Sequence, residues 1–346
     1  MSWEGGKLDT LKGVRRILIV LMGSIGDVAR GILVATAIKK SHPEIEIAWL
    51  VEPKSKDVVF NTPSIDKVIV FERGAGLGAL WNSIKEIRDF KAEVTLDMQR
   101  HLKSGVFSWL SGAPKRIGFA KRNTKEFNWV FQTDFTEYVD DSESKIKAYL
   151  GFLTKLGIPV QNIEFGLKPE PPSEYLESLL PTNGKLIGLV LGSAWETKNW
   201  PVEGYKSLVI EILKKQDVNL VLLGDKSQIR SAEEIEKLSQ KERLLNLVGK
   251  TKLREIISLM PRMDLLVGPD SGPGHIAAAV GVKQVTIFGP TPPERVAPFG
   301  SEKLVVKAEI PCAPCMRRVC PGLNKICMRL VSPQLVLGQI CKALSL

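Results

Sequence analysis

The chain holds 346 residues, more than one ordinary hydrophobic core accommodates and enough for two domains of about 150 to 170 residues each. Its 44% hydrophobic and 25% charged residues exclude a disordered or fibrous chain, and no apolar run reaches the roughly 18 residues of a spanning helix, because Asp27 and Arg30 interrupt the longest candidate. Forty-eight Lys and Arg against 38 Asp and Glu leave a net charge of +10, which favours an anionic partner: nucleotide, nucleic acid or acidic lipid.

Lys12, Arg15 and Arg16 precede an apolar stretch too short for a secretory signal and without a small-residue cleavage site, so a cytoplasmic protein is expected. That stretch, RRILIVL (15–21), predicts a first β-strand and runs into VLMGSIGDVARG (20–31), a glycine-rich loop opening a helix. The loop resembles a phosphate cradle, yet Gly23, Gly26 and Gly31 do not make G-x-G-x-x-G, although Glu52 stands where a ribose-binding acid belongs. No Gly-Lys-Ser/Thr completes a Walker loop, and a carboxylate at Asp27 would repel a pyrophosphate bound at the helix start. Two readings stay open for Asp27: a first-turn acid favoured by the helix dipole, or a general base that a tight glycine turn presents to a substrate.

EIAWLVE (46–52), DKVIVF (66–71) and AEVTLDM (92–98) predict further strands, alternating with helical periodicity such as Leu77 to Phe90. From Arg100 to Lys125 the chain carries Arg100, Lys103, Lys115, Arg116, Lys121, Arg122 and Lys125 and no acid, either a solvated face or a docking surface for phosphates. A helical stretch around Ser142 to Leu156 leads to the Pro-rich GLKPEPPSEY (166–175), which suits an interdomain linker. The rhythm then restarts with KLIGLVLG (185–192), VNLVLLGD (218–225), LLNLVG (244–249), MDLLVGPD (263–270) and KQVTIFGP (283–290). Two consecutive α/β domains with doubly wound parallel sheets are expected, their ligand held between strand-end loops.

GPDSGPGHIAAAVG (268–281) places Asp270, Ser271, Gly272, Gly274 and His275 at a strand–helix junction, where free N–H groups and the helix dipole favour a diphosphate. Asp270 can cap the helix or hold a sugar hydroxyl. LGSAWETKNWP (191–201) carries Ser193 and Lys198 from another strand end, where Lys198 would neutralise a leaving phosphate; Asp225 ends a third and can cap a helix or touch a nucleoside.

GSIGDV, DMQRHLKS (97–104), RIGF (116–119), SAWETKNWP, NLVGKTKLREI (246–256), DSGPGHIAAAVG and IFGPTPPERVAPFG (287–300) together resemble the glycosyltransferase family 9 heptosyltransferases, in the family's order from about residue 15 to the C-terminus. The resemblance implies a GT-B fold, two Rossmann-like domains facing across a cleft: residues 1–168 for the acceptor, 169–330 for the nucleotide-sugar, and a terminal helix in 331–346 packing back on the first domain. It implies inverting, metal-independent transfer of a heptose from ADP-heptose to a lipopolysaccharide inner-core acceptor. Asp27 matches the catalytic base and Lys198 the phosphate-contacting lysine. Ser193, Asp225, Asp270, Ser271, Gly272, Gly274 and His275 fall to the donor side, and Gly26, Asp97, Gln99, Arg100, Lys103 and Arg116 to the acceptor side. A phosphorylated, lipid-linked acceptor and contact with the anionic inner membrane are implied, with no nucleic acid and no catalytic cofactor. An acid near pKa 4 would be ionised at neutral pH without special activation. Competing readings are a nucleotide-sugar epimerase of the same fold and a non-catalytic glycan- or nucleotide-binding module.

Cys312, Cys315, Cys320 and Cys327 have spacings that suit a structural zinc knuckle or iron–sulfur ligand set, and equally free thiols or redox pairs. Pro333 to Leu344 predicts a terminal helix, with Cys341 in its apolar stretch.

Overall fold

Apolar runs too short for helices pair into two parallel sheets in the computed structural model, which describes residues 11–238 and 243–345. The outermost ends of the expected domains, residues 1–10 and 346, lie outside the described residues. The chain divides into two compact units, 1–168 and 169–346. In the first, β1 (Arg16–Val20), β2 (Glu46–Val51), β3 (Lys67–Val70), β4 (Val94–Asp97), β5 (Lys115–Gly118) and β6 (Asp134–Phe135) lie in the order β3-β2-β1-β4-β5-β6. In the second, β7 (Lys185–Val190), β8 (Val218–Leu223), β9 (Leu244–Asn246), β10 (Leu265–Pro269), β11 (Gln284–Phe288) and β12 (Val305–Lys307) lie in the order β12-β11-β10-β7-β8-β9. Every pairing is parallel among the described residues. Parallel strands need crossover connections whose helices cover both faces, so the central strands β1 and β10 are buried almost throughout.

The first sheet packs Leu18, Val20, Leu50, Ile69 and Phe71 against Ile87, Phe90 and Phe107 on one face. Helix Ile25–Ser41 covers β1 closely: a Cβ at Gly31 would lie 2.5 Å from Leu21 Cδ2 and 3.5 Å from the Trp49 ring. Gly31, read first as part of a phosphate-type loop, is therefore a packing glycine. Three strands are absent from the sequence expectations. β5 begins with Lys115 and Arg116, β6 has two residues and β12 three, so none carries an apolar run long enough to signal itself.

The terminal helix, Pro333–Leu344, forms as expected. Within the second unit it packs on helix Val202–Leu213 and on β10 to β12, where Val336 and Ile340 join the core with Leu208, Ile287 and Val306. Its buried apolar stripe covers a face of that sheet.

Asp97, expected on the acceptor side, ends β4 fully buried. Its Oδ2 accepts from Asn128 Nδ2 at 2.6 Å and Gln132 Nε2 at 2.9 Å, and Oδ1 from the Gln99 N–H at 3.1 Å. It organises the β4 loop and the 128–132 turn and presents no oxygen to solvent. Burial pushes its carboxyl up from 3.8 to about 6, against the lowering effect of these hydrogen bonds.

Two outcomes follow from this packing. Ile340→Ala lowers stability by about 2–5 kcal/mol, and hydrogen exchange accelerates in β10 to β12; unchanged exchange in those strands would contradict the packing described. Because the folded state retains the Asp97 proton until about pH 6, while the unfolded chain releases it near 3.8, its contribution to stability is complete below the lower value and lost on rising through the higher one. Urea titrations across this window show a slope of up to about 1.4 kcal/mol per pH unit that Asp97→Asn flattens.

Candidate functional site

In each unit the strand order reverses once, between β1 and β4 and between β7 and β10. Crossovers leave in opposite directions at such a point, so the two strand-end loops part and open a crevice at the carboxyl edge of the sheet. The singled-out residues gather at these two places.

At the first, Gln99 Oε1 accepts the Met22 N–H at 2.7 Å and ties the β4 loop to the β1 loop. Asp27 stands in the first turn of helix Ile25–Ser41, where Gly26 is buried. Ser24 Oγ donates to Asp27 Oδ2 at 3.0 Å, while Arg30 Nη2 and Lys145 Nζ each reach Oδ1 at 2.7 Å. Tyr149, buried beneath, also hydrogen-bonds this carboxylate, and its burial pushes the phenol above its ordinary value. Burial would raise the Asp27 carboxyl, but Lys145 and Arg30 outweigh it and hold the group well below the usual carboxylate range. An unperturbed acid near pKa 4 is thus corrected to a strongly acidic one. One carboxylate with two cations leaves this place locally positive, which suits an anionic ligand.

Around it, Lys103 Nζ pairs with Glu52 Oε1 at 2.5 Å and lies over the Phe71 ring. Arg100 adopts a left-handed φ of 73°, rare for a bulky residue, stacks 4.5 Å from the Phe119 centroid and reaches Asp141 at 3.2 Å. Arg116, expected with the acceptor residues, instead donates to the carbonyls of Phe131 and Ala113 and closes the strand–turn connection.

At the second place, Lys198 Nζ donates to Asp270 Oδ2 at 2.6 Å and sits 4.5 Å from the Trp195 ring centroid. Thr291 Oγ1 donates to the same oxygen at 3.0 Å, and His275 Nε2 lies 3.5 Å from Oδ1. Burial opposes ionisation of Asp270, but the His275 hydrogen bond and the Lys198 charge prevail and keep it well below the carboxylate range. Asp270 therefore anchors Lys198 and does not cap helix Gly272–Ala279. Ser271, the N-cap, makes no side-chain cap, and its buried Oγ has no hydrogen-bond partner. Gly272 and Gly274 thus present first-turn N–H groups without a side-chain cap, while Pro273 has none to satisfy. Gly274 is also needed for packing, since a Cβ there would lie 1.9 Å from Gln284 Oε1.

Two expected donor residues turn to local structure. Asp225 caps the next turn through the Ser227 N–H at 2.7 Å, and Ser193 Oγ donates to the Trp195 carbonyl at 2.9 Å. The cysteines are all unpaired; Cys312 and Cys315 are exposed, while Cys327 is buried beneath Gly289. Among the described residues no three His, Cys, Asp or Glu side chains are placed to share an ion; burial raises the Cys327 thiol, and Cys315, Cys312 and Cys320 lie near enough to raise it further. Sequence reasoning missed Arg30, Lys145, Tyr149, Trp195 and Thr291. Only Arg30, three residues after Asp27 on one helix face, had a local signal.

The sequence profile of glycosyltransferase family 9 (heptosyltransferase) matches residues 80–326. The chain is 23% identical over 300 residues to the lipopolysaccharide core heptosyltransferase OpsX of Haemophilus influenzae, covering 84% of each. The fold is similar to that of a family 9 glycosyl transferase from Veillonella parvula, with TM-score 0.78, 21% identity and coverage of 96% and 97%. It is also similar to E. coli heptosyltransferase WaaC solved with ADP-2-deoxy-2-fluoro heptose, with TM-score 0.74, 18% identity and coverage of 94% and 99%. Two parallel-sheet α/β domains in one chain are the GT-B architecture. With its profile matched over most of its length, the chain belongs to glycosyltransferase family 9 (heptosyltransferase) and is a glycosyltransferase.

Proposed function

We propose that this enzyme transfers a heptose from ADP-heptose to a phosphorylated lipopolysaccharide inner-core acceptor, inverting the anomeric centre. The observation that carries the reading is the division of charge: an ionised acid between two cations at one strand-order reversal, and an anchored lysine beside an uncapped helix start at the other. The relatives' names support the sugar and the acceptor, and the nucleotide in the solved WaaC complex supports the donor.

In this mechanism the acceptor hydroxyl oxygen attacks the anomeric carbon and its proton passes to an Asp27 oxygen. The bond from that carbon to the diphosphate breaks, and the electron pair leaves on the phosphate. Lys198, the N–H groups of Gly272 and Gly274 and the Ser271 hydroxyl stabilise the departing charge, supplying what a cation would otherwise supply. Asp27 is a weak base, and a weak base suffices when bonding to the anomeric carbon has already made the hydroxyl acidic. Arg30 and Lys145 hold the Asp27 carboxylate in place, and Lys145, half-exposed, also faces the acceptor's anionic groups. Gln99, Arg100 and Lys103 shape the acceptor side, with Asp97 and Arg116 acting through the backbone they position. No helix among the described residues is long and apolar enough to cross a membrane. The basic run at 100–125 and the exposed Phe127, Trp129 and Val130 just beyond it support a proposed contact with the anionic cytoplasmic face of the inner membrane.

Release of the nucleoside diphosphate, ADP or UDP, from ADP- and UDP-sugars with delipidated core acceptors tests the donor directly: turnover is expected with ADP-heptose, and a preference for another nucleotide-sugar overturns that assignment. Asp27→Asn lowers transfer by about 10²–10⁴-fold and leaves ADP affinity unchanged. In the wild-type enzyme the acid limb of kcat/KM lies below about pH 4, because Asp27 stays ionised there; Lys145→Met, which removes one of the two cations, moves that limb to higher pH.

A further inference from the structure

The Lys198–Asp270 pair is electrically neutral, and this leaves the departing diphosphate short of positive charge. A lysine held at 2.6 Å by a buried carboxylate has spent most of its field on that partner. The cysteine-bearing segment reaches back to the donor loop. Thr197 Oγ1, buried, donates to the Arg317 carbonyl at 2.9 Å, and Lys325 pairs with Glu196. The Met316 N–H donates to the Pro290 carbonyl at 2.7 Å, beside the Thr291 that holds Asp270. These contacts place Arg318 with its guanidinium carbon 5.0 Å from the Trp195 centroid, on the same indole that carries Lys198. Arg318 is exposed, and it forms no ion pair with a carboxylate among the described residues.

We infer that Arg318 is a second donor-site cation, which binds the diphosphate of the nucleotide-sugar and supplies the net charge that Lys198, neutralised by Asp270, lacks. The inference rests on the donor-site reading above. A guanidinium suits the role because its planar fork meets two phosphate oxygens at once, and stacking on Trp195 orients the fork before the ligand arrives. The cysteine-bearing segment is, on this account, the strap that delivers the arginine.

Calorimetric titration of the full-length enzyme with ADP, AMP and adenosine tests it. Arg318→Gln, an exposed substitution that leaves the fold intact, weakens ADP about ten- to hundredfold, leaves adenosine unchanged and reduces the salt dependence of ADP binding; Arg318→Lys recovers part of the loss. Equal weakening of ADP and adenosine would assign Arg318 a purely structural role in the loop, and unchanged ADP affinity would remove it from the site; either overturns the inference. Lys198→Ala separates this from the broader reading. If Lys198→Ala weakens ADP and Arg318→Gln does not, only the arginine falls; if neither matters, or the wild-type enzyme binds no ADP, the donor site itself has been misplaced.

Discussion

Each half of this enzyme depends on one constraint: a parallel strand can be joined to the next only by a crossover, and the crossovers change direction once per sheet. That reversal parts the loops after β1 and β4 in the first unit and after β7 and β10 in the second. Residues far apart in sequence meet there because the strands that carry them are neighbours. Gln99 reaches Met22, and Lys198 reaches Asp270, across the same kind of gap. The close contact of helix and sheet at Gly31 and Gly274 sets the height of those loops above the strands.

Three acids at these loops meet three different fates. Asp97 is surrounded by neutral donors, so desolvation wins and its proton is held more tightly. Asp27 and Asp270 are also desolvated, but each meets a lysine within 2.7 Å, and the attraction outweighs the burial. A buried carboxylate that holds a cation in place is costly to separate from its partner. Asp270 is thus sealed around Lys198, while Asp27 stays more open to solvent.

The glycine-rich loop and the cysteine-rich segment take their meaning from geometry rather than from composition. Glycines in the first loop suggest a phosphate cradle, yet Gly31 serves the approach of a helix to its sheet. In the cysteine-rich segment Cys327 is buried under Gly289, while Cys312 and Cys315, still near enough to act on its thiol, face solvent. That segment braces the loop after β7 through Thr197, Glu196 and Trp195.

The amino-acid sequence by itself determined nine of the strands and the positions of Asp27, Lys198 and Asp270 at strand ends, because apolar runs and glycine turns are local signals read over a few residues. It did not reveal β5, β6 or β12, which are too short or too polar to stand out and exist only because a neighbouring edge offers them hydrogen bonds. Nor did it reveal that Lys145 would meet Asp27 across 118 positions, that Asp97 would be sealed from water, or that the last helix would pack on β10 to β12. Those were decided by tertiary structure alone, since an ion pair and a desolvation energy depend on which segments become neighbours, and no local pattern encodes that.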